Sequence, residues 1–64
     1  MENQIRELRK AAGLRQEDLA RELGVTRQTI NAIENNKYDP TLGLGMRLAR
    51  LLGTTVEDLF PLPE

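Results

Sequence analysis

A single glycine between two short amphipathic segments restricts this chain more than any other feature. The stretch Gln16 to Lys37 reads QEDLARELGVTRQTINAIENNK, and its two helical patterns meet at Gly24. Leu19, Ala20 and Leu23 share one face of the first pattern, and Ile30 and Ile33 share one face of the second. Val25 lies in the turn between them. Glycine alone adopts left-handed backbone without cost, so Gly24 predicts a sharp stop to the first helix. Thr26 is a natural N-cap for the next one, its hydroxyl free to accept from an amide in the following turn. The positions left facing outward on the second helix are Arg27, Gln28, Thr29, Asn31, Ala32 and Asn35.

That outward face is polar, and arginine, glutamine and asparagine have the fork geometry that fits base edges in the major groove of DNA. Two helices joined by a tight turn, the second presenting such a face, predict a helix-turn-helix over residues 16–35. An ordinary solvated helix face is the plainer reading of Arg27, Gln28 and Asn31. For Leu19, Ala20, Leu23, Ile30 and Ile33 the plain reading, burial, is the one adopted.

Size and composition bound what surrounds this motif. Sixty-four residues make one domain, spanning 1–64. Tyr38 and Phe60 are the only aromatics, so the core must be aliphatic. With no cysteine, histidine or serine, the usual nucleophiles, the commonest general base and thiolate or imidazole metal sites are missing. The sequence therefore predicts a protein that is not an enzyme and uses no cofactor, no metal and no evident small-molecule ligand. No apolar run approaches the ~18 residues of a membrane span, and no signal-peptide pattern opens the chain. The expected location is the cytoplasm, with no membrane partner. Nine basic against ten acidic residues give a net charge of −1, unlike the basic balance usual for DNA-binding domains. Position counts for more than the sum: Arg15, Arg27 and Lys37 edge the motif, while Glu2, Glu57, Asp58 and Glu64 fall in the terminal segments.

In chain order, residues 3–12 predict a first helix, with Asn3 as cap, Ile5, Leu8, Ala11 and Ala12 as its apolar stripe, and Gly13 as its stop. Leu14 points back as a staple. The second helix, Gln16 to Leu23, starts after Arg15, which has no acceptor to offer and so forgoes about 1 kcal/mol of capping. The third, Arg27 to Asn35, ends at Asn36, an alternative to glycine in left-handed backbone. Thr41 caps a fourth helix over 42–52, striped by Leu44, Leu48, Leu51 and Leu52 with Ala49 beside them. Gly43 and Gly45 each cost that helix roughly 1 kcal/mol against alanine. Gly45 fits a close approach by a neighbouring helix; no sequence reason accounts for Gly43. Thr55 and Asp58 form a capping box for a last turn over 56–60. The tail Pro61-Leu62-Pro63-Glu64 cannot be helical and is expected to be extended.

Taken together, residues 4–60 resemble a Cro/C1-type (XRE-family) helix-turn-helix domain, the all-α, five-helix, lambda-repressor-like fold of many phage and bacterial repressors. Gln16, Leu19-Ala20, Gly24-Val25, Ile30, Ile33-Glu34-Asn35 and Pro40 stand in the register of that family. The resemblance implies a sequence-specific regulator of transcription that binds double-stranded DNA, most simply a homodimeric repressor on a pseudo-palindromic operator. Residue by residue it implies base contacts from Arg27, Gln28 and Asn31. It also implies backbone contacts from Gln16, Thr26 and Lys37, and from Asn35 and Asn36 through the amides around them. Arg9 and Glu34 match the positions of an ion pair that links the first and third helices. The tail resembles that of small regulators that dimerise at the C-terminal end, which makes 55–64 the dimerisation segment and Val56, Leu59, Phe60 and Leu62 its candidates. Capping of the subunit's own core is the other reading of those four. A protein-interaction module on the same fold, such as an antitoxin-like or bridging factor, is the alternative function, supported by the near-neutral charge.

Overall fold

Each helix begins and ends where the sequence offers partners for backbone groups that a helix leaves unpaired. The computed structural model describes residues 1–62, and Pro63 and Glu64, with the end of the expected tail, lie outside the described residues. The elements are α1 (Ile5–Ala11), α2 (Gln16–Leu23), α3 (Arg27–Glu34), α4 (Leu42–Leu51) and α5 (Val56–Leu59), with no strand among the described residues. Thr26, Thr41 and Thr55 accept through Oγ1 from the amides of Thr29, Leu44 and Asp58 at 3.2, 3.2 and 3.1 Å. Arg15 has no acceptor, but Asp18 supplies the missing link from the other side. Its Oδ2 accepts from the Arg15 amide at 2.8 Å, half of a capping box.

Left-handed residues carry the turn after α1, α2, α3 and α4, and two of them shape the helix-turn-helix. Gly24 has φ 69° and lets the amide of Val25 reach back to the Ala20 carbonyl at 3.0 Å. Asn36 has φ 62° and performs the same task for α3. There the amide of Lys37 bonds the Ala32 carbonyl at 2.9 Å and that of Asn36 bonds the Ile33 carbonyl at 3.1 Å, a Schellman arrangement. Both stops fall where the sequence predicted them.

Every helix contributes to one core, aliphatic as expected except for Phe60. Ile5, Leu19, Ile30, Ile33, Leu48 and Leu59 are fully buried, with Leu8, Leu14, Val25, Leu44, Leu52 and Val56 packed around them. Three expectations need correction. Ala11 and Ala12 are exposed, and Arg9 takes the buried place beside Ile5 in α1. At ~100° per residue Ala11 points about 120° away from Ile5 and about 160° away from Arg9, and Ala12 is the C-cap, past the packed turns. Leu51 lies at the rim of the α4 face and is exposed. Gly45 is buried against the Phe60 ring, not a helix backbone, and a Cβ there would sit 3.6 Å from Phe60 Cε2.

Gln4, not the expected Asn3, is the N-cap of α1 and makes no side-chain capping bond; Asn3 acts from one residue earlier. Its Oδ1 accepts from the Ile5 amide at 3.1 Å, while its Nδ2 donates to the Ile33 carbonyl at 2.8 Å and to Asn36 Oδ1 at 3.3 Å. With the Gln4 amide bonded to the Leu59 carbonyl at 2.9 Å, the start of α1 is fastened to the ends of both α3 and α5. No helix among the described residues is long and apolar enough to cross a membrane.

Candidate nucleic-acid interface

Burial of Ile30 and Ile33 decides which side of α3 meets solvent. Arg27, Gln28, Asn31 and Asn35 are all exposed, at i, i+1, i+4 and i+8 along one side of the helix, whereas Thr29 and Ala32 are half-buried. Arg27, Gln28 and Asn31 line a single shallow depression, and Arg27 also borders a second one with Arg15 and Gln16. The sequence-derived ridge is thus a continuous polar surface joining the N-terminal end of α3 to the start of α2.

An ionic brace holds this ridge to the rest of the domain. Glu34, whose side chain is 0% exposed, receives Arg9 Nε on Oε2 at 2.8 Å and Arg9 Nη2 on Oε1 at 3.1 Å. Arg9 Nη1 donates onward to the Leu14 carbonyl at 3.0 Å. Arg6 Nε and Gln16 Nε2 add further donors to Oε1, at 3.4 and 3.2 Å. Burial pushes the Glu34 carboxyl up. The hydrogen bonds from Arg9 and Gln16, the charge of Arg9 and the bond from Arg6 outweigh it, and Glu34 is held below the ordinary glutamate range. Asp18 is also held down, first by the Arg15 amide and then by the Arg15 side chain.

The backbone-contact set is distributed less simply. Gln16 is half-buried and already bonded at both ends of its amide, to Glu34 and, through Oε1, to Asn31 Nδ2 at 3.4 Å. One N–H and one lone pair of Gln16 remain. The Thr26 hydroxyl already holds its capping bond and a bond with Thr29 Oγ1 at 3.0 Å, and the residue is exposed. The expected grip by main-chain amides around Asn35 and Asn36 is overturned. The amides of Asn35, Asn36 and Lys37 all donate to carbonyls of α3, because the left-handed turn at Asn36 folds them back onto the helix. The Lys37 ammonium and Asn36 Nδ2 keep donors free, whereas Asn35 Nδ2 is drawn to the Asn31 carbonyl at 2.9 Å and to Asn31 Oδ1 at 3.1 Å; all three residues are exposed. Arg15 is drawn away by Glu17 at 2.8 Å and Asp18 at 3.4 Å. Arg27 and Lys37 make no ion pair among the described residues and carry the positive charge of this surface.

The four C-terminal candidates divide. Leu59 is 0% exposed and belongs to the subunit core, so it cannot touch a partner in this fold. Phe60 is buried and Val56 half-buried, but both line an apolar groove of about 510 Å³ with Pro40, Leu42, Gly45 and Leu62. Leu42 is 72% exposed and Leu62 80%. Sequence reasoning missed Leu42, which it placed in a helix without assigning a face, and missed Arg6 and Asn3 in the polar brace. Arg6 was findable in principle, since it precedes Arg9 by three residues and so stands on the same side of α1.

Comparison with known proteins agrees with this geometry. A family model described as "Helix-turn-helix" matches residues 5–59. An uncharacterized HTH-type transcriptional regulator of Methanocaldococcus jannaschii is 50% identical over 60 residues, covering 94% of this chain and 91% of that protein. Another, from Methanothermobacter thermautotrophicus, is 54% identical over 65 residues, covering 100% of this chain and 94% of its own length. The uncharacterized HTH-type transcriptional regulator YgzD of Bacillus subtilis is 42% identical over 64 residues, at 100% and 97% coverage.

Proposed function

This chain belongs to the helix-turn-helix family, and from that premise we propose that it is a DNA-binding transcriptional regulator of the Cro/C1 type. In this reading it is a homodimeric, cytoplasmic repressor that recognises a pseudo-palindromic operator in double-stranded DNA. One observation carries the reading: Arg27, Gln28 and Asn31 stand exposed together at the N-terminal end of a helix braced by Arg9 and Glu34. That end of the helix enters the major groove. Arg27 donates to guanine O6 and N7, and Gln28 and Asn31 pair with adenine, each good pair being worth ~1–3 kcal/mol of discrimination. Lys37 and the side chains of Gln16 and Asn36 meet phosphate, and Thr26 meets a phosphate or a thymine methyl. Binding alone accounts for repression, through occupancy of a promoter.

The homodimer rests on the groove between the start of α4 and α5. Exposed Leu42 and Leu62 flank it, and covering them with a second copy would remove apolar surface from water and set two α3 helices ~34 Å apart. The same groove, with the net charge of −1, is what favours a second reading, a module that binds another protein. A band-shift on a palindromic fragment from upstream of the coding sequence separates the two. Binding that weakens steeply with salt supports the regulator. No shift at low salt, with a stable complex to another protein instead, supports the module.

A further inference from the structure

Five polar side chains on α1, α2 and the end of α3 close into a ring. Arg6 Nη2 donates to Asn35 Oδ1 at 2.8 Å, and Asn35 Nδ2 donates to Asn31 Oδ1 at 3.1 Å and to the Asn31 carbonyl at 2.9 Å. Asn31 Nδ2 donates to Gln16 Oε1 at 3.4 Å, and Gln16 Nε2 donates to Glu34 Oε1 at 3.2 Å. Arg6 Nε closes the circuit on the same Glu34 oxygen at 3.4 Å.

The two ends of an amide are alike in shape and opposite in chemistry, so its orientation is set by its partners. Here the partners leave no choice. Arginine can only donate and ionised Glu34 can only accept. Gln16 must therefore turn its nitrogen to Glu34 and its oxygen to Asn31. Asn31 must turn its nitrogen to Gln16 and its oxygen to Asn35, and Asn35 its oxygen to Arg6. Reversing any one amide puts acceptor against acceptor somewhere in the circuit. Asn31 keeps one N–H and one lone pair free, with a fixed sense.

We propose that Arg6 and Asn35 are positioning residues for base selection, acting through the closed ring that locks the sense of the Asn31 amide. The inference rests on Asn31 reading a base, as argued above. Adenine offers an acceptor at N7 and a donor at N6, whereas guanine offers acceptors at both N7 and O6. An amide of fixed sense matches the donor–acceptor pair alone. One free to move can swing its carbonyl away from guanine O6 and donate a single hydrogen bond to N7, and so tolerates both purines. Arg6 and Asn35 thus determine adenine over guanine without needing to touch a base.

Selection of bound sites from random duplex DNA tests this with the full chain. Asn31→Ala first identifies the base pair that Asn31 reads in each half-site. Asn35→Ala and Arg6→Met should each lower the adenine-over-guanine preference at that pair by about fivefold or more and leave other positions unchanged. Arg6→Lys, which still donates to both Asn35 and Glu34, should retain the preference. Asn35 is exposed at the end of α3, so its substitution leaves the fold intact and keeps the test valid if Arg6→Met unfolds. The ring's role is overturned if Asn31→Ala relaxes a pair but Asn35→Ala weakens all sequences equally and leaves that preference unchanged. If Asn31→Ala relaxes no pair, base reading by Asn31 fails, and the ring's role fails with it.

Discussion

Arg9 and Glu34 meet fork to fork, Nε on Oε2 at 2.8 Å and Nη2 on Oε1 at 3.1 Å, both residues less than a tenth exposed. Twenty-five residues apart in sequence, they set the distance between α1 and the C-terminal end of α3. Removing Arg9 strips Glu34 Oε2 of its donor and leaves only Arg6 and Gln16 on Oε1, which costs up to about 3–5 kcal/mol, while replacing both members with apolar groups can be close to neutral. Arg9→Met should therefore destabilise the domain more than Arg9→Met with Glu34→Met. Urea unfolding of the two variants and the parent gives the comparison.

Acid should loosen the same brace. The folded-state carboxyl of Glu34 titrates below its ordinary value of 4.5, so its stabilisation is complete above that pH. It is lost progressively as pH falls below about 4.5 and through the depressed folded value, because the unfolded chain then binds the proton first. Asp18 is depressed too and acts in the same direction. Thermal midpoints from pH 7 down to pH 3 should fall, and a Glu34→Gln variant should show a shallower fall over that range.

Glycines in α4 should be replaceable. A Cβ at Gly43 meets nothing within 4 Å, and one at Gly45 meets only the Phe60 ring at ordinary contact distance. Neither has positive φ. Gly43→Ala should raise stability by about 1 kcal/mol through helix propensity alone. In a domain of this size that is a rise in melting temperature of roughly 4–8 °C. Gly45→Ala should do no harm.

The groove predicts an oligomer that can be disrupted without unfolding the subunit. Leu42 and Leu62 are mostly exposed in the subunit, so charged replacements there should change its stability by less than about 0.5 kcal/mol. Leu42→Glu and Leu62→Glu should each shift sedimentation equilibrium toward the monomer mass and weaken operator binding together. Unchanged mass in both would remove this face from the assembly.

Much of this architecture was readable because local signals and the burial pattern agree. Gly24, Thr26 and the spacing of Leu19, Leu23, Ile30 and Ile33 fixed α2, α3 and the outward face of Arg27, Gln28 and Asn31. The readings failed where tertiary contacts decide. Alanine carries too weak a burial preference to reveal that Arg9, not Ala11, occupies the inner face of α1. Leu59 and Phe60 are apolar like Leu62, and only packing against Ile5 and α4 separates core from rim. The direction in which each amide points around the Glu34 ring depends on residues from three helices. No periodicity encodes it.

Base readout by α3 is the claim on which the rest depends, and Gln28 tests it most directly, since it is exposed and holds no side-chain hydrogen bond among the described residues. Sites selected from random duplex DNA by the parent, Gln28→Ala and Lys37→Ala should differ in kind. Gln28→Ala should lose preference at one base pair per half-site, worth ~1–3 kcal/mol, whereas Lys37→Ala should keep the consensus and flatten the salt dependence by about one unit of slope. A Gln28→Ala protein that selects the parent's sequence with undiminished preference at every position would contradict the account.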